Sequence, residues 1–240
     1  MGSLTLDAAG NVYGTTPDGG EFGGGTVFKV TPTGTESILY NFCVRSHCRD
    51  GYYPNAGMAR DGAGNLYGTA SLNGEYGEGV VFKLSPDGTY TPLHSFDYSS
   101  TDGSYPESNF SLDWWGNLYS TTEDGGASYH GTVFKVTAIG TESLLYSFKG
   151  WPADGAAPSA MGLLRDTAGN FYGVTAEGSE NNLGVLFKRP RVGRRACFST
   201  SRVLVVATPE ACWSGMRPET YMAWQAVGRL WAIAGVWSLS

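Results

Sequence analysis

The chain has 240 residues, a formal net charge of −6 and a hydrophobic content of 41%, which is enough material for a sizeable core. It contains no apolar run of about 20 residues, so the sequence offers no candidate transmembrane helix. Its acidic character argues against nucleic acid as a partner. The amino end has no basic region followed by an apolar segment, and we therefore expect no signal peptide in this chain.

A short phrase, Gly-Asn-apolar-Tyr, occurs four times with spacings of 54, 52 and 53 residues. A fixed period of this size is the signature of a repeat architecture. The period also predicts that function does not reside in one local motif. The four copies are Gly10–Tyr13, Gly64–Tyr67, Gly116–Tyr119 and Gly169–Tyr172.

Each period contains four strand-like segments, which the first unit shows in chain order. A short apolar segment (Leu4–Leu6) precedes the repeated phrase, and a glycine-rich loop separates the phrase from a regular third segment (Thr26–Val30). A fourth segment (Ser37–Tyr40) ends near Phe42, and an Asp-Gly-x-x-Pro turn (Asp50–Pro54) leads to the next unit. Apolar and aromatic runs bounded by Gly, Pro, Asp and Asn predict strands and turns.

Four strands in about 50 residues is the size of a β-propeller blade. The sequence therefore predicts an all-β, propeller-like array of four-stranded blades. We expect the array to be incomplete or open, because closed propellers need about 4–8 blades. The predicted units are residues 1–54, 55–106, 107–158 and a truncated 159–188, followed by an irregular or partly helical tail, 189–240.

The aromatic residues of the repeated segments are expected to form the core, because regularly spaced aromatics are far more often core than binding surface. Those of the second and third strands should pack between neighbouring blades, and the terminal Phe should close the outer strand. The first set is Tyr13, Tyr67, Tyr119, Tyr172, Phe28, Phe82, Phe134 and Phe187; the second is Phe42, Phe96 and Phe148.

Five motifs recur in a constant order: Gly-Asn-Leu-Tyr-Gly-Thr-Thr, Gly-Gly, Gly-Thr-Val-Phe-Lys, Leu-Tyr-x-Phe and Asp-Gly-x-x-Pro. In these motifs and their order, residues 1–188 resemble the bacterial Gloeobacter/Verrucomicrobia ("GloVer") tandem-repeat family. The resemblance implies a large parent protein that is extracellular or attached to the cell surface. It implies no particular activity.

The tail departs abruptly from this pattern at Arg189. Residues 189–240 hold seven basic and two acidic side chains (net +5), whereas the first 188 residues hold nine and 20 (net −11). One codon string permitted for residues 192–202 reads GTESVLFNFK in a shifted frame, which resembles Gly140–Gly150 of the third unit. We therefore interpret the tail as a frameshifted repeat; a genuine carboxy-terminal domain is the alternative. The nucleotide sequence decides between them.

Cys43 and Cys48 lie in a loop that is longer than its counterparts in the other units. An extracellular location favours a disulfide between them, and two free thiols are the alternative. A metal site with Cys43, His47 and Cys48 as ligands is a third reading, but no fourth ligand is evident.

Aspartates recur in Asp-Gly loops and offer oxygen ligands that suit Ca²⁺. The alternative, which we favour, is turn chemistry, in which the carboxylate accepts local backbone N–H bonds. No Asp-x-Asp-x-Asp-Gly series is present, so no cofactor is expected. The aspartates are Asp18, Asp50, Asp102, Asp124 and Asp154.

Three tryptophans are the candidate ligand-binding residues. Trp114 and Trp115 replace small residues in a turn, and Trp151 lies in another loop. Exposed tryptophans in loops can stack on sugars or anchor a partner, although local packing is the alternative.

No histidine stands in a recognisable nucleophile, zinc or acid–base signature, so we predict no catalytic residue. The sequence thus favours a non-catalytic extracellular or surface protein with a binding or structural role. Its partner is unknown, with a glycan or a cell-surface component as candidates. The alternatives are a lectin-like propeller, in which Trp114 and Trp115 would be exposed, and a propeller glycosidase, which requires two converging carboxylates.

Overall fold

A computed structural model describes residues 2–152, 154–158, 162–189 and 197–199. The described residues form four successive antiparallel sheets, one for each repeat, and one additional two-stranded sheet; the predicted all-β class is confirmed. Among the described residues there is no helix that is both long and apolar enough to cross a membrane.

The first two blades have the same order, with each strand paired to the next along the chain. Blade 1 consists of β1 (Thr5–Leu6), β2 (Val12–Thr16), β3 (Thr26–Val30) and β4 (Glu36–Asn41), and a short 3-10 turn (Ser46–Cys48) follows it. Blade 2 consists of β5 (Ala59–Arg60), β6 (Leu66–Ala70), β7 (Val80–Leu84) and β8 (Tyr90–Ser95).

Blades 3 and 4 carry additional short strands from the linkers that precede them. Between blades 2 and 3, β9 (Gly103–Ser104) pairs with β12 (Asp124–Gly125). Blade 3 consists of β10 (Ser111–Leu112), β11 (Leu118–Thr122), β13 (Thr132–Val136) and β14 (Glu142–Ser147). Blade 4 consists of β16 (Leu164–Arg165), β17 (Phe171–Gly178), β18 (Leu186–Arg189) and β19 (Cys197–Ser199), with β15 (Gly155–Pro158) paired to the far end of β17.

The outer strand of blade 4 differs from the expectation. The sequence predicts a truncated fourth unit that ends at residue 188, whereas β19 from the tail pairs antiparallel with β18. Strand pairing uses backbone groups, so an edge accepts an extended segment whose side chains do not follow the repeat. The rest of the tail, including the predicted helical part, lies outside the described residues.

The connections between strands fall at two ends of each blade. The β1–β2 and β3–β4 turns of blade 1, and their equivalents in the other blades, lie at what we call the turn end. The β2–β3 loop and the linker to the next blade lie at the opposite, loop end. This follows from the antiparallel order, in which the chain reverses direction at every strand.

Backbone hydrogen bonds at the loop end join neighbouring blades. Tyr53, in the linker, donates its N–H to the carbonyl of Gly24 in blade 1 and accepts the N–H of Ser71 in blade 2, both at 3.2 Å. At the next two junctions, the linker residues Tyr105 and Ala157 donate N–H groups to the carbonyls of Glu78 and His130 in the preceding blade, and β9 and β15 pair with strands of the following blade. Each linker is therefore part of both blades that it connects.

The core lies between blades, as the sequence predicts. Each of its three clusters combines residues of two successive blades. In every junction the Phe after the outer strand meets the third-strand Phe of the next blade edge to face, which is a favourable aromatic geometry. The ring centroids are 5.2 Å apart for Phe42 and Phe82, 5.1 Å for Phe96 and Phe134, and 5.1 Å for Phe148 and Phe187.

Candidate functional site

The repeated Gly-Asn-apolar-Tyr phrase forms a carboxylate clamp at the turn end. In blade 3, Asp113 Oδ1 accepts the backbone N–H groups of Trp115 and Asn117, both at 2.9 Å. Its Oδ2 accepts the Asn117 side-chain amide at 2.8 Å and the Tyr119 hydroxyl at 3.0 Å. Asp7, Asp61 and Asp166 hold the equivalent Asn and Tyr side chains in the other blades.

The clamp is electrostatically favourable. Burial of the Asp113 carboxyl opposes its ionisation, but the hydrogen bonds from Asn117 and Tyr119 outweigh burial and lower the pKa. The pKa of the tyrosine partner shifts in the opposite direction. In the equivalent clamp of blade 2, burial and then the Asp61 carboxylate raise the pKa of Tyr67 to about 12. The repeated phrase therefore encodes a rigid turn, and its polar residues are occupied in holding that turn.

Trp114 and Trp115 occupy the two central positions of the blade 3 turn. Their side chains are 94% and 69% exposed. The adjacent β13–β14 turn carries Ile139, which is 89% exposed, and the two turns are neighbours because a β-carbon on Gly116 would lie 3.7 Å from that of Ala138. We call Trp114, Trp115 and Ile139 the aromatic turn.

The aromatic turn has no equivalent in the other blades. Small or polar residues stand at the same positions of the same hydrogen-bonded turns. They are Ala8, Ala9 and Thr33 in blade 1, Gly62, Ala63 and Asp87 in blade 2, and Thr167 and Ala168 in blade 4. Three large apolar side chains thus stand on one pair of turns, where the other blades carry small or polar residues.

Trp151 does not join the aromatic turn. It lies in the linker after β14, at the loop end, and is 65% exposed. Its Nε1 donates a hydrogen bond to the Glu180 carbonyl at 3.2 Å. A blade strand of five or six residues spans roughly 16–20 Å, so the two sites are separated by the length of the sheet.

The aspartates of the three linker turns are buried and hydrogen-bonded within the protein. Asp154 accepts the Tyr146 hydroxyl and the backbone N–H groups of Lys149 and Gly155, each at 2.8 Å. Asp50 and Asp102 have comparable partners from their own blades. These contacts agree with turn chemistry; the expectation that no cofactor is bound stays a prediction.

Cys43 and Cys48 are joined by a disulfide with their Cα atoms 4.0 Å apart. The bond closes the loop between β4 and the linker turn, and His47 lies within that loop in a left-handed backbone conformation (φ 59°).

One group of carboxylates at the loop end is not apparent from the repeat pattern alone. Burial, and then the negative charges of Glu107, Asp124 and Glu177, raise the pKa of Glu123. Glu123 stands where the other units have Pro, Ser and Ala. This departure from the repeat was the signal in the sequence that could have identified it.

Comparisons with known proteins place the chain in a family. A family model described as the Gloeobacter/Verrucomicrobia repeat matches residues 1–234. The chain belongs to this repeat family. The match extends beyond residue 188, where the resemblance had been expected to end, and so includes most of the arginine-rich tail. A search of curated protein sequences finds no match.

Two solved structures show distant similarity. One, assigned provisionally as a gluconolactonase, has 16% sequence identity and a TM-score of 0.46, covering 78% of this chain and 70% of that structure. The other is a variant of a GH43 protein from Bacillus licheniformis with 12% identity and a TM-score of 0.43, covering 87% of this chain and 43% of that structure. These values support no inference about activity.

Proposed function

We propose that this Gloeobacter/Verrucomicrobia repeat protein is a non-catalytic binding module that contacts its partner through the aromatic turn of blade 3. The observation that carries the proposal is the exposure of Trp114 and Trp115 on a turn whose hydrogen bonds match those of the other blades. Because small residues fill the same positions elsewhere, the fold does not require the two indoles.

The clamp makes this turn suitable for binding. Asp113 fixes the backbone on both sides of the tryptophans, so little backbone entropy is lost when a ligand binds. A tryptophan side chain has only two rotatable bonds and a large apolar face, which gives contact area at low entropic cost. Contiguous exposed apolar residues are characteristic of interaction sites.

Carbohydrate is the ligand class that we favour for this surface. Each indole combines an apolar ring with one N–H donor, a combination that suits a sugar with apolar C–H faces and hydroxyl acceptors. A cell-surface protein is the second candidate, since tryptophans are also common anchors in protein interfaces.

A glycan array tests the proposal with the parent chain, Trp114→Ala, Trp115→Ala and Tyr76→Ala. Tyr76 is the matched control because it is 65% exposed but lies at the loop end of blade 2. We expect binding by the parent and by Tyr76→Ala, and a loss of at least about tenfold in either tryptophan variant. Unchanged binding in both tryptophan variants would refute the proposed surface, and no binding by the parent would remove the carbohydrate class.

The glycosidase-type alternative has one supporting observation. Glu123 has a raised pKa and three neighbouring carboxylates, and a general acid paired with an ionised carboxylate is the requirement for glycoside hydrolysis. The test is hydrolysis of chromogenic glycosides by the parent and by Glu123→Gln. Turnover that is lost in the variant would replace the binding-module proposal with an enzymatic one.

We also propose that the parent protein is extracellular or attached to the cell surface. The Cys43–Cys48 disulfide supports this location, because such bonds persist in oxidising compartments. Labelling intact cells with a membrane-impermeant amine reagent tests it. Protection of the protein until the cells are lysed would contradict the proposal.

A further inference from the structure

The contact between blades 2 and 3 differs chemically from the contact between blades 1 and 2, although the two are equivalent in position. At the first contact, the Tyr40 hydroxyl donates to Asp50 Oδ2 at 3.0 Å. The Tyr40 ring stacks on Tyr90 of the next blade, with centroids 4.5 Å apart. The Tyr90 hydroxyl in turn donates to the Asp50 carbonyl at 2.5 Å.

Three residues replace this arrangement at the second contact. His94 takes the place of Tyr40, since it pairs with Val81 of β7 as Tyr40 pairs with Val27 of β3. Its Nε2 lies 3.0 and 3.1 Å from the two oxygens of Asp102, the equivalent of Asp50. Glu142 begins β14 as Tyr90 begins β8. A stacked pair of tyrosines thus becomes a histidine and a glutamate.

Glu142 is poorly accommodated in its ionised form. Its Oε1 is buried, and none of the described residues donates a hydrogen bond to it. The turn before β14 packs tightly on β8, because a β-carbon on Gly140 would lie 2.6 Å from the Leu93 carbonyl oxygen. Because Oε1 is buried, bulk water does not reach it to replace the missing partner.

The charged groups that bear on Glu142 come from two elements of blade 2. His94 of β8 favours ionisation of Glu142, and Asp102 of the following linker opposes it. On blade 3 itself, Glu142 lies opposite Val136 of β13, which is apolar. Lys135 lies opposite Ser143 and therefore faces the other side of the sheet.

We propose that His94, Asp102 and Glu142 form a pH-sensitive contact that holds blade 3 against blade 2 in mildly acidic solution and loosens as the pH rises to neutrality. The tyrosine contact between blades 1 and 2 does not respond in this range. This contact lies close to the aromatic turn, because Ile139 is three residues before Glu142 in the chain. A change in binding through that turn would rest on the proposed function, but the pH response itself does not.

The direction follows from proton linkage. Burial, with Asp102 adding to it and His94 opposing it, raises the pKa of Glu142 from 4.5 to about 7. The folded state then holds a proton that the unfolded chain has released, so stability is greatest below pH 4.5 and is lost up to about pH 7.

The test measures the melting temperature of the full chain between pH 5 and pH 8. We expect a decrease of about 4 °C for the parent over this range. Glu142→Gln keeps the shape without the charge, and His94→Tyr with Glu142→Tyr restores the residues of the first contact; both should remove the decrease. The matched control is Glu36→Gln, because Glu36 has the same strand position in blade 1 but is exposed.

The outcomes separate the proposal from general pH effects. A decrease that is present in the parent and in Glu36→Gln, and absent in Glu142→Gln, supports it. No decrease in the parent overturns it, as does an equal decrease in Glu142→Gln. If the double tyrosine variant does not fold, the comparison of the two glutamine variants still decides.

Discussion

The carboxylate clamp under the aromatic turn leads to a prediction with an internal control. Asp113→Ala removes four hydrogen bonds at once: two from backbone N–H groups and one each from Asn117 and Tyr119. Asp61→Ala removes the same set in blade 2, where the turn carries no tryptophan. The two variants therefore separate the structural role of the clamp from the presentation of the indoles.

The size of the loss in the free energy of unfolding depends on whether each donor finds another acceptor after the substitution. The two backbone N–H groups lie in an exposed turn, so water replaces most of what they lose. Asn117 and Tyr119 are half-buried, and each loses a bond to a charged acceptor, which contributes about 1.5–3 kcal/mol. Allowing for partial rehydration, we expect each Asp→Ala variant to lower the free energy of unfolding by about 2–4 kcal/mol.

Urea unfolding at pH 7 measures the two losses, and the glycan array measures binding. We expect similar losses of stability in both variants, with reduced binding only in Asp113→Ala, because only that turn presents the indoles. A loss below about 0.5 kcal/mol in both variants would refute the role of the clamp, since that is the effect of an ordinary surface substitution. Equal binding by the two variants would refute the link between the turn and the ligand.

Three further predictions concern the fold. Gly79→Ala would place a β-carbon 2.5 Å from Pro106 of the next linker. It should lower the free energy of unfolding by about 2 kcal/mol more than Gly88→Ala, because Gly88 shares a positive φ but has open space around it. Equal urea midpoints for the two variants would contradict this. Phe96→Ala removes a fully buried ring and should cost about 3–5 kcal/mol, against less than about 0.5 kcal/mol for the exposed Phe22→Ala, as urea unfolding would show. The clamp carboxylates have lowered pKa values, about 2 for Asp7. Their contribution to the stability of the folded state is therefore complete above the unfolded pKa of 3.8 and is lost as the pH falls through the folded pKa values. A melting temperature that stays constant from pH 4 to pH 2 would contradict this.

The strands and most of the core could be predicted because their signals are local. Turn residues and apolar runs recur with a fixed period, and every third-strand Phe of a unit has the same neighbours as its equivalents. Phe28 is the exception within the described residues: it is only half-buried, whereas Phe82, Phe134 and Phe187 each pack against the terminal Phe of the preceding blade. The outer strand of blade 4 was missed because backbone pairing left no repeat signal in the side chains of the tail.

The candidate site was predicted in part. Trp114 and Trp115 departed from the repeat and so were identified, but their sequence does not show whether they are exposed. The exposure depends on which side of the turn faces the neighbouring blade. The interactions of Glu123 with Glu177 and of Glu142 with His94 were missed, because the two partners of each come from different repeats and approach one another only when the blades stack.

The sequence by itself determined the repeat, the class of fold and the hydrogen-bonded turns, because each depends on residues within a few positions of one another. The tertiary structure decided which side chains meet across the junctions between blades. Tyr40 stacks on Tyr90 at one junction, and the charges of His94 and Glu142 interact at the next, each pair being about 50 residues apart. Such contacts depend on the angle and spacing at which blades pack, and no local pattern encodes those quantities.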